Sequence, residues 1–213
     1  MASAALLTFI LNFLSALVAL LTSYFAYKVN RLVSNSVLPA ISLGFMLLGI
    51  GLALDAGTSL VSGVTLVELF AARLLVTFAS FTYLTVQMIA YLAIAIGYAR
   101  TTYGGQAKVI APVVAAGSVL AGLRGYSLLS YFVVLILLLF IVFQGFLLRA
   151  KGAHGFSPAV LLAFGLILAA HVLLLVSVAV VGAGLFLIGT GVQFLGFLSL
   201  LIFVIRSEVV GPA

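Results

Sequence analysis

This chain contains no cysteine and no tryptophan, and its amide and charged side chains are few. Without cysteine it cannot form disulfides, thiolate metal sites or iron–sulfur clusters, and it has no cysteine nucleophile. Without tryptophan, tyrosine and phenylalanine are the aromatic residues left to sit at a membrane–water interface. The scarcity of thermolabile residues is typical of thermophiles and favours a thermophilic archaeon as the source.

Charged residues make up only 6% of the 213 residues, whereas hydrophobic residues make up 66%. A soluble protein carries about 25% charged residues, so this chain could not cover its apolar surface in water. The composition therefore predicts a single integral membrane domain over residues 1–213, with the lipid bilayer as its partner. The net charge of +6 comes from residues spread singly or in pairs, so no nucleic-acid-binding patch is predicted.

Seven apolar segments approach the length of a membrane-spanning helix, which is about 20 residues. They cover residues 4–28, 38–56, 66–98, 108–123, 127–149, 158–181 and 184–206. The sequence therefore predicts an all-α fold, a polytopic bundle of seven transmembrane helices. The N-terminal span lacks the basic region that begins a signal peptide, so we expect it to be retained.

The basic residues give the predicted bundle an orientation. Seven of the nine lysines and arginines lie in links on one side of the membrane: Lys28, Arg31, Arg100, Lys108, Arg149, Lys151 and Arg206. The links on the other side carry Asp55, Glu68 and Arg124. Because lysine and arginine concentrate in cytoplasmic links, the N-terminus is predicted outside and the C-terminus inside, in the plasma membrane.

Residues 38–45 and 157–164 form a faint internal repeat, since each has proline at its second position followed by alanine and then mainly aliphatic residues. Proline costs no hydrogen bond in a first helical turn, so Pro39 and Pro158 predict helix starts, with Ser157 as an N-cap. The order of spans predicts a 3+1+3 parallel repeat, an architecture known from transporters. Chance recurrence in such a biased composition is the alternative.

Polar residues of the third predicted span lie on one side of a helix. At about 100° per residue they fall within a sector of roughly 80°. They are Arg73, Thr77, Ser80, Gln87, Tyr91 and Tyr98, with Tyr83 beside the sector. A one-sided polar stripe through a span should face other helices or water rather than lipid.

Two interpretations of this stripe stay open. With Asn12 of the first span and Gln193 of the seventh, it could line a pathway for a small solute or ion. It could instead be a packing seam, in which hydroxyl and amide groups bridge helices for about 0.6 kcal/mol each.

The few ionisable residues near the spans give further candidates. Asp55, Glu68 and Arg73 could form an outer ion pair, either as an external gate or as neutralisation of an interfacial arginine. His171, in the middle of the sixth span, could carry a proton or make a polar contact between helices. One histidine supplies too few ligands for zinc or haem, so no metal site and no cofactor are predicted.

Three glycines recur every seven residues: Gly182, just before the seventh span, and Gly189 and Gly196 within it. Small residues let membrane helices approach closely, so this stripe predicts packing against a neighbouring helix. A contact with a second copy of the chain or with another membrane protein is the alternative.

Two residue pairs resemble the serine–histidine dyad of rhomboid intramembrane proteases: Gly117-Ser118 in the fourth span and Ala170-His171 in the sixth. The rhomboid elbow has glycine two residues before its serine and one after it, whereas this chain has Ala116 and Val119. No oxyanion hole is signalled either, so no enzymatic activity is predicted.

Seven helices arranged as three, one and three resemble the SWEET sugar transporters and their PQ-loop relatives, which implies transport of a small solute. The chain departs from that pattern where Pro39 and Pro158 are each followed by alanine instead of glutamine. A microbial rhodopsin is excluded because the seventh span has no lysine for a Schiff base.

The sequence therefore predicts a transporter- or channel-like protein whose polar pathway is lined by spans one, three and seven. The alternative is a non-catalytic integral subunit or sensor module that packs against partner membrane proteins. The scarcity of buried charge favours this alternative, since ion-coupled transporters usually hold Asp, Glu or Lys within the membrane.

Overall fold

A computed structural model of the chain describes residues 2–33, 37–64, 70–103, 127–150, 157–180 and 182–210. Side chains are described for residues 6–32, 37–59, 77–103, 128–150, 157–180, 182 and 184–207. Within these ranges the regular structure is α-helical, as the composition predicts.

The described residues form six long helices. They are α1 (Ala2–Val33), α2 (Leu38–Val64), α3 (Phe70–Tyr103), α4 (Ser127–Ala150), α5 (Pro158–Val180) and α6 (Ala183–Val210). Each contains a stretch that is long and apolar enough to cross a membrane. They correspond to the first, second, third, fifth, sixth and seventh predicted spans, whereas the fourth, 108–123, lies outside the described residues.

The start of α5 confirms the predicted N-cap. The backbone N–H of Ala159 donates to Oγ of Ser157 over 3.1 Å, and that of Val160 donates to the Ser157 carbonyl over 3.0 Å. Pro158 occupies the first helical position, where its missing N–H removes no helical hydrogen bond. The capping serine and the proline together fix where this helix begins.

The six described helices form a ring. Each packs against its neighbours in chain order, and α6 closes the ring against α1. Contacts between residues show that α1, α3, α4 and α6 run in one direction and that α2 and α5 run in the other. The described lysine and arginine side chains all lie at one end, which we call the basic end: Lys28, Arg31, Arg100, Arg149 and Arg206.

The neighbours α3 and α4 are parallel, which is unusual for helices that follow one another along the chain. Tyr83 lies near Tyr131 at one end, and Nε2 of Gln144 donates to the Tyr103 hydroxyl over 3.0 Å at the other. The two helix ends that residues 104–126 join therefore lie at opposite faces of the bundle.

Glycines set the spacing between neighbouring helices. A Cβ added at Gly44 would lie 2.5 Å from Cγ1 of Ile94, and one at Gly97 would overlap the Cβ of Ala40, so α2 and α3 pack backbone to backbone. Between α5 and α6, a Cβ at Gly196 would lie 2.7 Å from Cγ1 of Ile167. These contacts require glycine because any side chain would push the helices apart.

The outer surface of the ring is apolar, and the buried polar side chains point away from it. Phe78, Phe146 and Val180 are 69%, 63% and 66% exposed, whereas Gln87, His171 and Gln193 are at most 2% exposed. Such an arrangement suits lipid as the surrounding solvent, because polar groups inside a membrane gain partners only from other helices or enclosed water.

Candidate functional site: a polar column inside the ring

The centre of the ring holds a hydrogen bond between two helices that are not neighbours. His171 of α5 and Gln87 of α3 approach with their Nε2 atoms 2.7 Å apart. Nδ1 of His171 lies 2.8 Å from the carbonyl oxygen of Ile167, one turn earlier in α5. A carbonyl only accepts, so Nδ1 carries the ring proton, and Nε2 is left to accept from the Gln87 amide. The imidazole is therefore neutral and fixed in one tautomer.

This bond leaves polar atoms beside it without partners. The Gln87 Oε1, the Tyr91 hydroxyl and the Gln193 Nε2 are all buried and make no hydrogen bond within the described residues. The Tyr91 ring stands edge-on to His171, with ring centroids 5.4 Å apart. Its hydroxyl faces the amides of Gln87 and Gln193 without reaching hydrogen-bonding geometry. Each unsatisfied buried group costs about 1–3 kcal/mol, so a bound molecule that pairs with them would be stabilised.

A chain of polar contacts continues from this centre away from the basic end. Gln193 of α6 faces the hydroxyl of Tyr83 without a hydrogen bond from its Nε2, and Tyr83 lies one turn before Gln87 on the same face of α3. Tyr83 and Tyr131 of α4 both lie within electrostatic range of the Asp55 carboxylate of α2. We call the resulting set the polar column: Asn12, Asp55, Tyr83, Gln87, Tyr91, Tyr131, His171 and Gln193.

Asp55 ends the polar column with a partner from α1. The Asn12 amide donates to Oδ2 of Asp55 over 2.7 Å, although 43 residues separate the two in sequence. Asn12 is 3% exposed, so this contact lies within the bundle. The side chains of Glu68 and Arg73 lie outside the described residues, and the outer ion pair between them and Asp55 stays a prediction.

Aromatic rings fill the interior on the basic side of the column. Phe45 of α2 meets Phe197 of α6 edge to face at 5.4 Å, and Tyr98 of α3 meets Phe164 of α5 in the same way at 6.0 Å. All four side chains are at most 1% exposed. These four residues, which we call the aromatic layer, lie between the polar column and the basic end.

Some of the predicted site residues lie in the polar column, and others lie outside it. Asn12, Gln87, Tyr91, His171 and Gln193 belong to the polar column, and Tyr98 belongs to the aromatic layer. Thr77 is exposed on the outside of α3, and Ser80 is half-buried. Arg73 falls within α3, but its side chain is not among those described.

The three glycines of the predicted stripe do not all face a neighbouring helix. A Cβ at Gly189 would lie 3.0 Å from Cγ of Leu174, so Gly189 and Gly196 both face α5. At Gly182 the nearest side chain is that of Leu185, which belongs to α6 itself. The tightest glycine contacts instead lie between α2 and α3.

Two column residues were not among the predicted site residues, although Tyr83 was noted beside the polar stripe. Tyr83 stands four residues before Gln87 and eight before Tyr91, so a stripe counted at a spacing of four would have included it. Tyr131 had no such signal, because it joins the column only through the parallel packing of α4 on α3. Its position depends on the order of helices in the ring, which periodicity does not encode.

Within the described ranges, no three His, Asp or Glu side chains lie close enough together to hold a metal ion. Comparison with known proteins gives no match for this chain, whether with protein-family models, with curated proteins or with solved structures. Function is therefore argued from the geometry of the column.

Proposed function

We propose that this protein moves a small solute or ion across the plasma membrane through the polar column. The observation that carries the proposal is a set of polar atoms on Gln87, Tyr91 and Gln193 that have no hydrogen-bond partner among the described residues and lie at the centre of the ring of six described helices. A packing seam would pair these groups with each other across helices. Atoms that stay unpaired are instead ready to bind water or solute.

The column reaches further than the predicted lining from spans one, three and seven. Asp55 comes from α2, Tyr131 from α4 and His171 from α5, so all six described helices contribute a polar side chain. Polar and ionisable residues within membrane spans commonly mark solute and proton paths. The aromatic layer would act as the closed barrier of such a path on its basic side.

Seven membrane crossings agree best with the directions of the helices. The parallel arrangement of α3 and α4 leaves the ends joined by residues 104–126 at opposite faces, and a crossing helix over 108–123 would connect them. With the basic end cytoplasmic, the N-terminus lies outside and the C-terminus inside. Thiol labelling in whole cells tests this orientation. An impermeant reagent should label Gly182→Cys, at the outer end of the bundle, and leave Ser157→Cys, at the basic end, unlabelled. The reverse result would show that the topology is inverted.

The same ring supports a parallel repeat. A half-turn about its axis exchanges α1 with α4, α2 with α5 and α3 with α6, and each exchanged pair has the same direction. It also exchanges the two aromatic contacts, Phe45 with Phe197 and Phe164 with Tyr98. Phe45 and Phe164 each stand six residues after the proline of their segment. Repeats of this kind build transporters with a central binding site.

Flux into liposomes tests the proposed function. The purified protein is reconstituted and compared with empty liposomes for urea, glycerol, sodium, potassium and ammonium. Gln87→Leu and Tyr91→Phe should slow whichever flux the protein supports, because both remove polar atoms from the column. Thr82→Val is the matched control, since the Thr82 hydroxyl bonds to the Phe78 carbonyl on the outside of α3. Unchanged flux in both column variants would show that the lining assignment is wrong.

The alternative, a subunit or sensor module that packs against other membrane proteins, gives a different result. No solute of the panel would then cross faster than through empty liposomes. A partner protein would instead co-purify in a fixed ratio from native membranes.

A further inference from the structure

The polar column contains one formal charge among its described side chains, the carboxylate of Asp55. It stands within the membrane-spanning stretch of α2, seventeen residues from the start of that helix. The described lysines and arginines lie at the basic end, which is about 25 Å away at 1.5 Å per residue. A half-buried carboxylate within a membrane span, so far from the described positive charges, would be stabilised by a positive charge from another source.

The backbone of Arg73 does not stand at the level of Tyr83. It precedes Tyr83 by ten residues on α3, which places its backbone about 15 Å further along the helix. The described partner of the Asp55 carboxylate is the neutral amide of Asn12, which supplies a hydrogen bond and no charge.

Oxygen-bearing side chains of other helices lie on the side of Asp55 that faces the ring, and the Tyr83 ring packs against Gly51, one turn before Asp55 on α2. Asn12 contributes an amide from α1, Tyr83 a hydroxyl from α3 and Tyr131 a hydroxyl from α4. Hard cations bind carboxylate, carbonyl and hydroxyl oxygens, whereas softer transition metals prefer imidazole or thiolate. A single carboxylate suits one positive charge, because divalent sites in proteins usually combine several carboxylates.

An independent observation comes from the buried Gln193. The Gln193 side chain is 2% exposed and faces Tyr83, and its Nε2 makes no hydrogen bond among the described residues. A water molecule carried by a cation would accept a hydrogen bond from this N–H. The unpartnered Tyr91 hydroxyl and Gln87 Oε1 could bind further water of the same hydration shell.

We propose that Asp55, together with Asn12, Tyr83 and Tyr131, binds a partly hydrated monovalent alkali cation. This inference rests on the proposed function, since the cation would be the solute that crosses or one that drives its movement. Asp55 supplies the charge, the amide and hydroxyls replace part of the hydration shell, and Gln193 holds a remaining water.

Thermal unfolding in lipid nanodiscs tests the site without measuring transport. Sodium or potassium chloride is titrated against N-methyl-D-glucamine chloride at fixed pH and ionic strength. A cation that binds only the folded protein raises the melting temperature in a saturable way. Asp55→Asn should abolish the rise, and Asn12→Ala and Tyr131→Phe should raise the half-saturating concentration severalfold. Thr58→Val is the control, because Thr58 bonds only to the backbone carbonyl of Asp55.

Three results would overturn the proposal. The first is a wild-type melting temperature that is the same in all three salts. The second is a full cation effect in Asp55→Asn. The third is a cation effect that appears only in Arg73→Gln, because Arg73 would then be the native counter-ion of Asp55. A saturable rise in melting temperature without any flux in liposomes would support the cation site and refute the transport function. Failure of the cation proposal can therefore be told apart from failure of the proposed function.

Discussion

The side-chain amide of Gln87 donates a hydrogen bond over 2.7 Å to Nε2 of His171, and this contact ties α3 to α5 across the centre of the helix ring. Eighty-four residues separate the two in sequence. The bond holds His171 in its neutral form and fixes the orientation of the Gln87 amide. It thereby determines which polar atoms of the column stay free, and Gln87 Oε1 is one of them.

A double-mutant cycle on this pair should show favourable coupling. Gln87→Leu leaves the imidazole Nε2 without a donor, and His171→Leu leaves the Gln87 amide without an acceptor, so each single variant buries an unpaired group. The double variant should be more stable than the sum of the two losses predicts. For a hydrogen bond within a membrane we expect coupling of about 0.6–1.7 kcal/mol. Reversible unfolding in mixed micelles measures it, and additive losses would show that the bond does not form.

Replacing glycine with alanine should destabilise the protein where the glycine contacts another helix closely and not where it has open space beside it. Gly97→Ala brings a Cβ onto that of Ala40 and should lower the free energy of unfolding by about 1–3 kcal/mol. Gly165→Ala is the control, because no described atom beyond the backbone of its own helix turn lies within 4 Å of a Cβ built there. Thermal unfolding of both variants measures the difference. Equal melting temperatures would contradict the close approach of α2 and α3.

The aromatic layer should limit leakage through the column. Phe45→Ala and Phe197→Ala together remove both rings of one edge-to-face pair and should raise ion leak through reconstituted protein. Each truncation costs about 3–5 kcal/mol in a soluble core, so size-exclusion chromatography must first show that the variant folds. Phe143→Ala, on the lipid-facing side and 55% exposed, is the control. If the folded double variant leaks no more than the wild type, the aromatic layer does not act as the barrier.

Much of the membrane architecture is predictable because lipid imposes simple rules on composition. Apolar length identified all six described helices, and Ser157 before α5 and Pro158 at its first position marked its start. The polar stripe of α3 correctly singled out Gln87 and Tyr91 as buried residues. Helical periodicity alone carries this information, since it places residues on one face without specifying the neighbour.

The sequence did not predict which side chains form hydrogen bonds with these residues. Asp55 meets Asn12, and Gln87 meets His171, only because the helices close into a ring in one particular order. The order of the helices depends on how glycines such as Gly44 and Gly97 fit against side chains of the opposing helix. This fit involves two helices at once, so the sequence of either helix alone does not reveal it. Periodicity likewise gave no reason to place Thr77 outside the column, although it belongs to the same stripe as Gln87.

Water access to the column can be measured directly, because the chain has no native cysteine. Gln193→Cys places a thiol in the column, and Phe143→Cys places one on the lipid-facing side of α4. Methanethiosulfonate reagents that carry a charge react with thiolate, which forms where water reaches the sulfur. Folded Gln193→Cys protein in nanodiscs should be modified, whereas Phe143→Cys should not. A Gln193→Cys thiol as unreactive as that of Phe143→Cys would show that the column is a dry packing seam.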